Sequence, residues 1–115
     1  MALTEKDWRL KVDGARHEDD ILAIVRAYLD ELPPSELESL PESVRPTHIV
    51  DSHELASCAY KLVAAHCASA HEPDDGGVLY RLATFFAYAQ ARVAFLATPA
   101  ARQRAYITTF DVPRD

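Results

Sequence analysis

One stretch of the chain, Val78 to Ala97, constrains the fold more than any other. Its sequence, VLYRLATFFAYAQARVAFLA, holds five of the ten aromatic residues of the chain, only two charged residues (Arg81 and Arg92) and no acid. A helix formed by this stretch is apolar on one side and alanine-rich on the other, and such a helix is normally buried on more than one face. The sequence therefore predicts a central helix around which the other elements pack.

Length and composition predict one folded domain. The chain has 115 residues, of which 49% are hydrophobic and 26% are charged. These values are ordinary for a globular protein, and the length suits one domain with its own core. We expect a single helical domain over residues 1–115, with 1–16 as an N-terminal extension and 33–50 as a proline-rich connector.

Charge is distributed unevenly along the chain. The net charge is −6, and residues 1–57 carry thirteen acids and six bases, whereas residues 58–115 carry five acids and six bases. Nucleic-acid binding depends on Lys and Arg neutralising phosphates, so we expect no nucleic-acid partner. The acidic half instead favours a basic protein partner through electrostatic steering. We expect four acids around the connector to face outward: Glu31, Glu36, Glu38 and Glu42.

Targeting and redox features favour the cytoplasm. The first ten residues include Glu5 and Asp7 and lack the apolar run of a signal peptide. Charges interrupt the longest apolar stretch, which argues against a membrane span. Cys58 and Cys67 are about 13.5 Å apart along one predicted helix, too far for a disulfide. We expect free thiols, a cytoplasmic location and no membrane association.

Apolar periodicity predicts a mainly α fold, a small helical bundle. The three main helices are expected at 18–32, 52–71 and 77–97, with a short fourth at 99–105. Ile21 and Val25 begin the apolar stripe of the first helix, and Pro33 ends it. The predicted core stripe of the second helix includes Leu62 and Val63. Within the connector, residues 35–40 indicate one turn of helix.

Both ends of the chain show the periodicity of strands. Trp8, Leu10 and Val12 alternate with charged residues, and residues 106–112 are rich in β-branched and aromatic side chains. We therefore expect an extended N-terminal segment and a possible minor β-ladder formed by the two ends. A competing signal is Thr4 followed by Asp7, which resembles the capping box of a short helix.

Cys67 and His71 are the candidate metal ligands. They are four residues apart, so a helix places them on one face. A structural zinc site needs four ligands, and this helix alone cannot provide them. The alternative is that the histidines are solvated or cap a helix. We expect no cofactor, and the sequence shows no complete catalytic constellation and no glycine-rich phosphate loop.

His66 falls in the middle of the predicted apolar stripe of the second helix. One interpretation is a core histidine that is hydrogen-bonded to a tyrosine or a carbonyl. The other is a pocket in which His66 faces Arg81, Tyr88 and Arg92 of the third helix. Such a cluster of Arg, His and Tyr would bind a small anion.

Four alanines form a second stripe on the third helix, behind its core stripe: Ala83, Ala87, Ala91 and Ala94. Small residues allow two helices to approach closely. We expect this stripe to be the interface of a two-fold homodimer, the commonest kind of oligomer. The alternative is a monomer in which the first and second helices cover both faces of the third.

These observations favour a small, non-catalytic helical protein that acts by protein–protein interaction as a homodimer. The alternative function is a ligand- or metal-binding helical protein. It would use the cluster of His66, Arg81, Tyr88 and Arg92, or the pair Cys67 and His71.

Overall fold

A computed structural model describes residues 3–46, 49–68 and 77–98. The secondary structure in these ranges is helical, with no strand, which confirms the mainly α fold class. The elements are α1 (Glu5–Asp13), α2 (Glu18–Glu31), α3 (Pro34–Glu38), a 3-10 turn (Glu42–Val44), α4 (Ser52–Ala68) and α5 (Val78–Ala97).

The predicted main helices are present, with small shifts at their ends. α2 ends at Glu31, just before Pro33 and Pro34, and Pro34 opens the short helix α3 that the connector was expected to contain. The side chain of Asp51 caps α4 by accepting a hydrogen bond from the backbone N–H of Glu54 at 2.8 Å. Residues 69–71 of the second predicted helix, and the whole of the short helix predicted at 99–105, lie outside the described residues.

The prediction of an extended N-terminal segment was wrong, because residues 5–13 form α1. The side chain of Thr4 accepts a hydrogen bond from the N–H of Asp7, and the Asp7 carboxylate accepts one from the N–H of Thr4, both at 3.1 Å. This reciprocal pair is the capping box that starts the helix.

Packing explains why residues 5–13 form a helix and not a strand. Trp8 and Val12 are four residues apart, on one helix face, and both are buried, whereas Leu10 is 56% exposed. A half-buried strand would have put all three on the same side. The predicted β-ladder is not borne out, since its first segment is helical; its second, residues 106–112, lies outside the described residues.

The core is centred on α5, as predicted. Its buried residues are Leu82, Ala83, Phe85, Phe86, Ala89 and Val93. The ring of Tyr28 in α2 stacks on Phe85 with centroids 4.0 Å apart, and Trp8 of α1 meets both rings edge-on. Full burial of an aromatic side chain of this kind contributes about 1.5–3 kcal/mol. Helices α1 and α2 are therefore held against one side of α5 by a shared aromatic cluster.

The connector between α2 and α4 is anchored at several points within its described part. Arg45 donates hydrogen bonds to the carbonyls of Glu38 and Leu40, and Arg26 of α2 donates to the carbonyl of Ile49 at 2.6 Å. The side chains of Leu40 and Ile49 are buried in the core. These contacts hold the connector against α2 and the core, and α4 packs along α5.

Candidate interaction surface

Three polar residues along one edge of α5 contact the N-terminal half of the chain. Arg81 forms a salt bridge with Glu36 at 3.0 Å. The hydroxyl of Tyr88 donates a hydrogen bond to the carboxylate of Asp13. Further along, Arg92 donates to the carbonyl of Ala15 at 3.0 Å, and its guanidinium lies 5.2 Å from the ring centre of Phe95.

Burial and a neighbouring carboxylate keep Tyr88 protonated. Burial raises the pKa of Tyr88, and the hydrogen bond and negative charge of Asp13 raise this pKa further. A phenol with a raised pKa is a neutral hydrogen-bond donor at pH 7, not a base. Tyr88 therefore serves here to link α5 to the end of α1.

His66 lies half-buried on α4, with its ring 5.3 Å from that of Tyr80. The structure thus places a tyrosine of α5 beside this histidine, at the end of α5 where Arg81 also lies. Arg92 is eleven residues further along α5, which is about 16 Å along the helix axis. One small anion cannot reach both arginines. The anion site stays a prediction.

The two cysteines are free thiols. Burial raises the pKa of the half-buried Cys58 thiol, and the nearby Glu54 raises it further, so this thiol is less nucleophilic at neutral pH. Cys67 is exposed on α4, and His71 lies outside the described residues, so their metal site stays a prediction. Within ranges 3–46, 49–68 and 77–98, no three His, Cys, Asp or Glu side chains are grouped to hold a metal ion.

The structure divides the alanine stripe of α5. Ala83 is buried, with 2% of its surface exposed, whereas Ala87, Ala91 and Ala94 are exposed. The covered part of the stripe thus belongs to the core of the single chain. The exposed part lies on the surface, where Ala87 and Ala91 are next to α4.

Two of the exposed alanines, Ala87 and Ala91, line an apolar groove between α4 and α5. The groove has a volume of about 400 Å³. Its walls are Ala56, Ala59, Tyr60 and Val63 from α4 and Ala87, Gln90 and Ala91 from α5. Tyr60 is 76% exposed and Val63 is 37% exposed. We call this surface, formed by these seven residues, the α4–α5 face.

The α4–α5 face carries no Asp, Glu, Lys, Arg or His. On the α5 side this follows from the orientation of the helix. Its only charged residues, Arg81 and Arg92, lie on another edge and contact the N-terminal half. Exposed apolar surface is one feature of interaction sites, so this face is a candidate for one.

Sequence reasoning missed Tyr60 and Val63. The prediction placed Val63 in the core stripe of its helix, but only Leu55, Ala59 and Leu62 of α4 are fully buried. Helical periodicity shows which residues share a face and does not show how wide a strip the neighbouring helix covers. Because α4 packs at the edge of the bundle, its apolar surface extends beyond the covered strip.

None of the helices in the described part of the chain is both long and apolar enough to span a membrane. No protein-family model matches the chain, and comparisons with curated proteins and with solved structures also find no match.

Proposed function

We propose that this protein acts by protein–protein interaction, without catalysis, and that a second copy of the chain docks on the α4–α5 face. The observation that carries the proposal is the uncharged apolar groove in which Tyr60 stands exposed between α4 and α5. Tyrosine is enriched among the residues that dominate binding energy at interfaces, because it combines a large apolar ring with a hydroxyl.

The small side chains of the face suit the approach of another helix. Ala56 of α4 and Ala87 and Ala91 of α5 keep the groove shallow and open, so a helix can lie close to both backbones. In a two-fold dimer each copy would present the same groove and the same Tyr60, which is the self-complementary arrangement that such symmetry requires.

Charge favours a second copy over a basic partner at this face. Two chains of net charge −6 repel each other through most of their surfaces. A contact surface without charged side chains avoids placing like charges opposite one another, which would cost several kcal/mol. A basic partner would find no carboxylate among the groove residues.

Two further elements belong to the proposal. A cytoplasmic location is supported by the free thiols of Cys58 and Cys67, since cytosolic proteins keep cysteines reduced. A basic protein partner is supported by the acids of the N-terminal half, none of which lines the α4–α5 face. These include the exposed residues Glu31, Glu38 and Glu42.

Native mass spectrometry of the full-length chain tests the proposal directly. We expect a dimer of unmodified mass. A monomer at every concentration would overturn the dimer. A bound small molecule or metal that survives in the spectrum would instead support the alternative, ligand-binding function.

A further inference from the structure

A second concavity lies between the start of α1, the end of α2 and α3, and it is chemically unlike the α4–α5 face. Three carboxylates surround it, from Glu5, Glu31 and Glu36, together with the guanidinium of Arg81. Its volume is about 260 Å³. This is below the range of about 300–1,000 Å³ found for drug-sized ligands. The cleft therefore suits one group of the size of a side chain.

Aromatic and aliphatic residues form the inner part of this cleft. Trp8 and Tyr28 line the cleft and are only 4% and 1% exposed, so they form its floor. Leu3, Leu32 and Pro33 add aliphatic surface. The carboxylates thus stand around an apolar cavity, unlike acids on a solvated helix face. A ligand that matches it has an apolar stem and a charged end.

The charges of the cleft leave an excess of negative charge. Arg81, the one cation among the described residues that line the cleft, donates a hydrogen bond to Oε2 of Glu36 at 3.0 Å. The other oxygen of Glu36, Oε1, is buried and accepts no hydrogen bond from the described residues. Glu5 accepts from the hydroxyl of Tyr28, a neutral donor, and Glu31 is exposed at the rim. Within the described part of the chain, three negative groups of the cleft therefore face one positive group.

We infer that this cleft binds an alkylammonium or alkylguanidinium group, the chemistry of a lysine or arginine side chain. The aliphatic stem packs on Leu3, Leu32 and Pro33, and the cation lies between Glu5 and Glu31. The inference rests on the proposed interaction function, since it names the place where a basic protein partner inserts a side chain. A free organic amine shares the same chemistry.

Trp8 provides a direct probe, because it is the only tryptophan of the chain and lines the cleft. The experiment titrates the full-length ¹⁵N-labelled protein with n-butylguanidinium and n-butylammonium and follows the indole N–H resonance of Trp8. Saturable shifts with both cations, and none with n-butanol at equal concentration, are expected. Equal shifts with n-butanol, or none with either cation, would overturn the inference.

Two matched variants separate a local effect from the overall charge. Glu31→Gln removes a carboxylate at the rim, and Glu38→Gln makes the same change at an exposed residue outside the cleft. We expect Glu31→Gln to weaken n-butylguanidinium binding roughly two- to fivefold, as for an exposed ion pair. Glu38→Gln should leave it unchanged. Equal weakening in both variants would show attraction to net charge only and would contradict a site.

A blocked peptide with a single arginine between glycines distinguishes the two sources of the cation. Binding at least as tight as that of n-butylguanidinium, lost when citrulline replaces arginine, supports a protein partner. If n-butylguanidinium binds and the peptide does not, the protein-partner assignment is overturned and the ligand is a small amine. The oligomeric state of the same samples is measured separately. A monomer that binds the cation contradicts only the proposed dimer, and a dimer that does not bind it contradicts only the cleft.

Discussion

The hydroxyl of Tyr28 donates to both carboxylate oxygens of Glu5, at 3.0 Å each, and so ties the end of α2 to the start of α1. Tyr28→Phe removes this link and keeps the ring stacked on Phe85. We expect the free energy of unfolding, measured by urea denaturation, to fall by about 1.5–3 kcal/mol, the usual net contribution of a hydrogen bond to a charged group.

Tyr80→Phe is the matched control for that substitution. It removes the same hydroxyl from a tyrosine that is 37% exposed and lies outside the α4–α5 face. We expect its unfolding free energy to stay within about 0.5 kcal/mol of the wild type, as is usual for surface changes. Equal losses in the two variants would show that the contact with Glu5 does not stabilise the fold.

The capping box at α1 predicts a dependence of stability on pH. The backbone N–H of Thr4 donates to the carboxylate and lowers the pKa of Asp7 from its ordinary value of 3.8, and the side chain of Thr4 lowers it further. Because the folded-state pKa is the lower one, the ionised carboxylate stabilises the fold above pH 3.8. This contribution is lost as the pH falls from 3.8 through the lowered value.

Asp7→Asn removes this titration. We expect thermal denaturation, followed by circular dichroism, to show a lower Tm than the wild type at pH 7 and a gap that closes below pH 3.8. Asp30→Asn makes the same change at an exposed aspartate of α2 outside the capping box. A gap for Asp7→Asn that persists unchanged in acid would contradict the assignment.

The fold could be predicted from the sequence where periodicity and end signals agree. The apolar spacing of α2, its first-turn acids and the following prolines all indicate one helix, and the structure has it at Glu18–Glu31. In α1 the signals conflict. The alternation of Trp8, Leu10 and Val12 suggested a strand, but the burial of Trp8 and Val12 against α5 selects the helix that the Thr4–Asp7 pair also indicates.

The candidate surfaces could be predicted only in part. The exposed alanines of α5 follow from helical spacing, but the exposure of Tyr60 depends on how little of α4 its neighbours cover. The cleft joins residues that are distant in sequence, such as Glu36 and Arg81, which are 45 residues apart. Local sequence holds no signal for such pairs, because they meet only when α1, α2 and α3 have packed on α5.

The contact of Arg92 with the loop between α1 and α2 predicts a stabilising role for this arginine. Its guanidinium donates to the carbonyl of Ala15, which is a buried residue, and lies over the ring of Phe95. Arg92→Met keeps an apolar chain and removes the donor. We expect the free energy of unfolding, measured by urea denaturation, to fall by about 1–3 kcal/mol, because the carbonyl of Ala15 loses its hydrogen-bond donor.

Lys61→Met is the control for Arg92→Met, since it removes one positive charge from an exposed position of α4. Surface changes of this kind usually alter stability by less than about 0.5 kcal/mol. If Lys61→Met destabilises the protein as much as Arg92→Met, net charge and not the contact with Ala15 sets the stability.

The proposed dimer predicts that a charge at Ala91 separates the subunits. Ala91 is exposed on α5 and lines the α4–α5 face, so Ala91→Glu places a carboxylate in an interface that otherwise has no charge. We expect the dissociation constant, measured by analytical ultracentrifugation, to rise at least tenfold, which corresponds to about 1.4 kcal/mol. The helical circular dichroism signal should not change, because the substituted side chain projects from the surface.

Ala27→Glu makes the same substitution at an exposed position of α2 and should leave the dimer intact. If both variants dissociate the dimer, the cause is general charge repulsion. If neither does, the interface does not lie on the α4–α5 face.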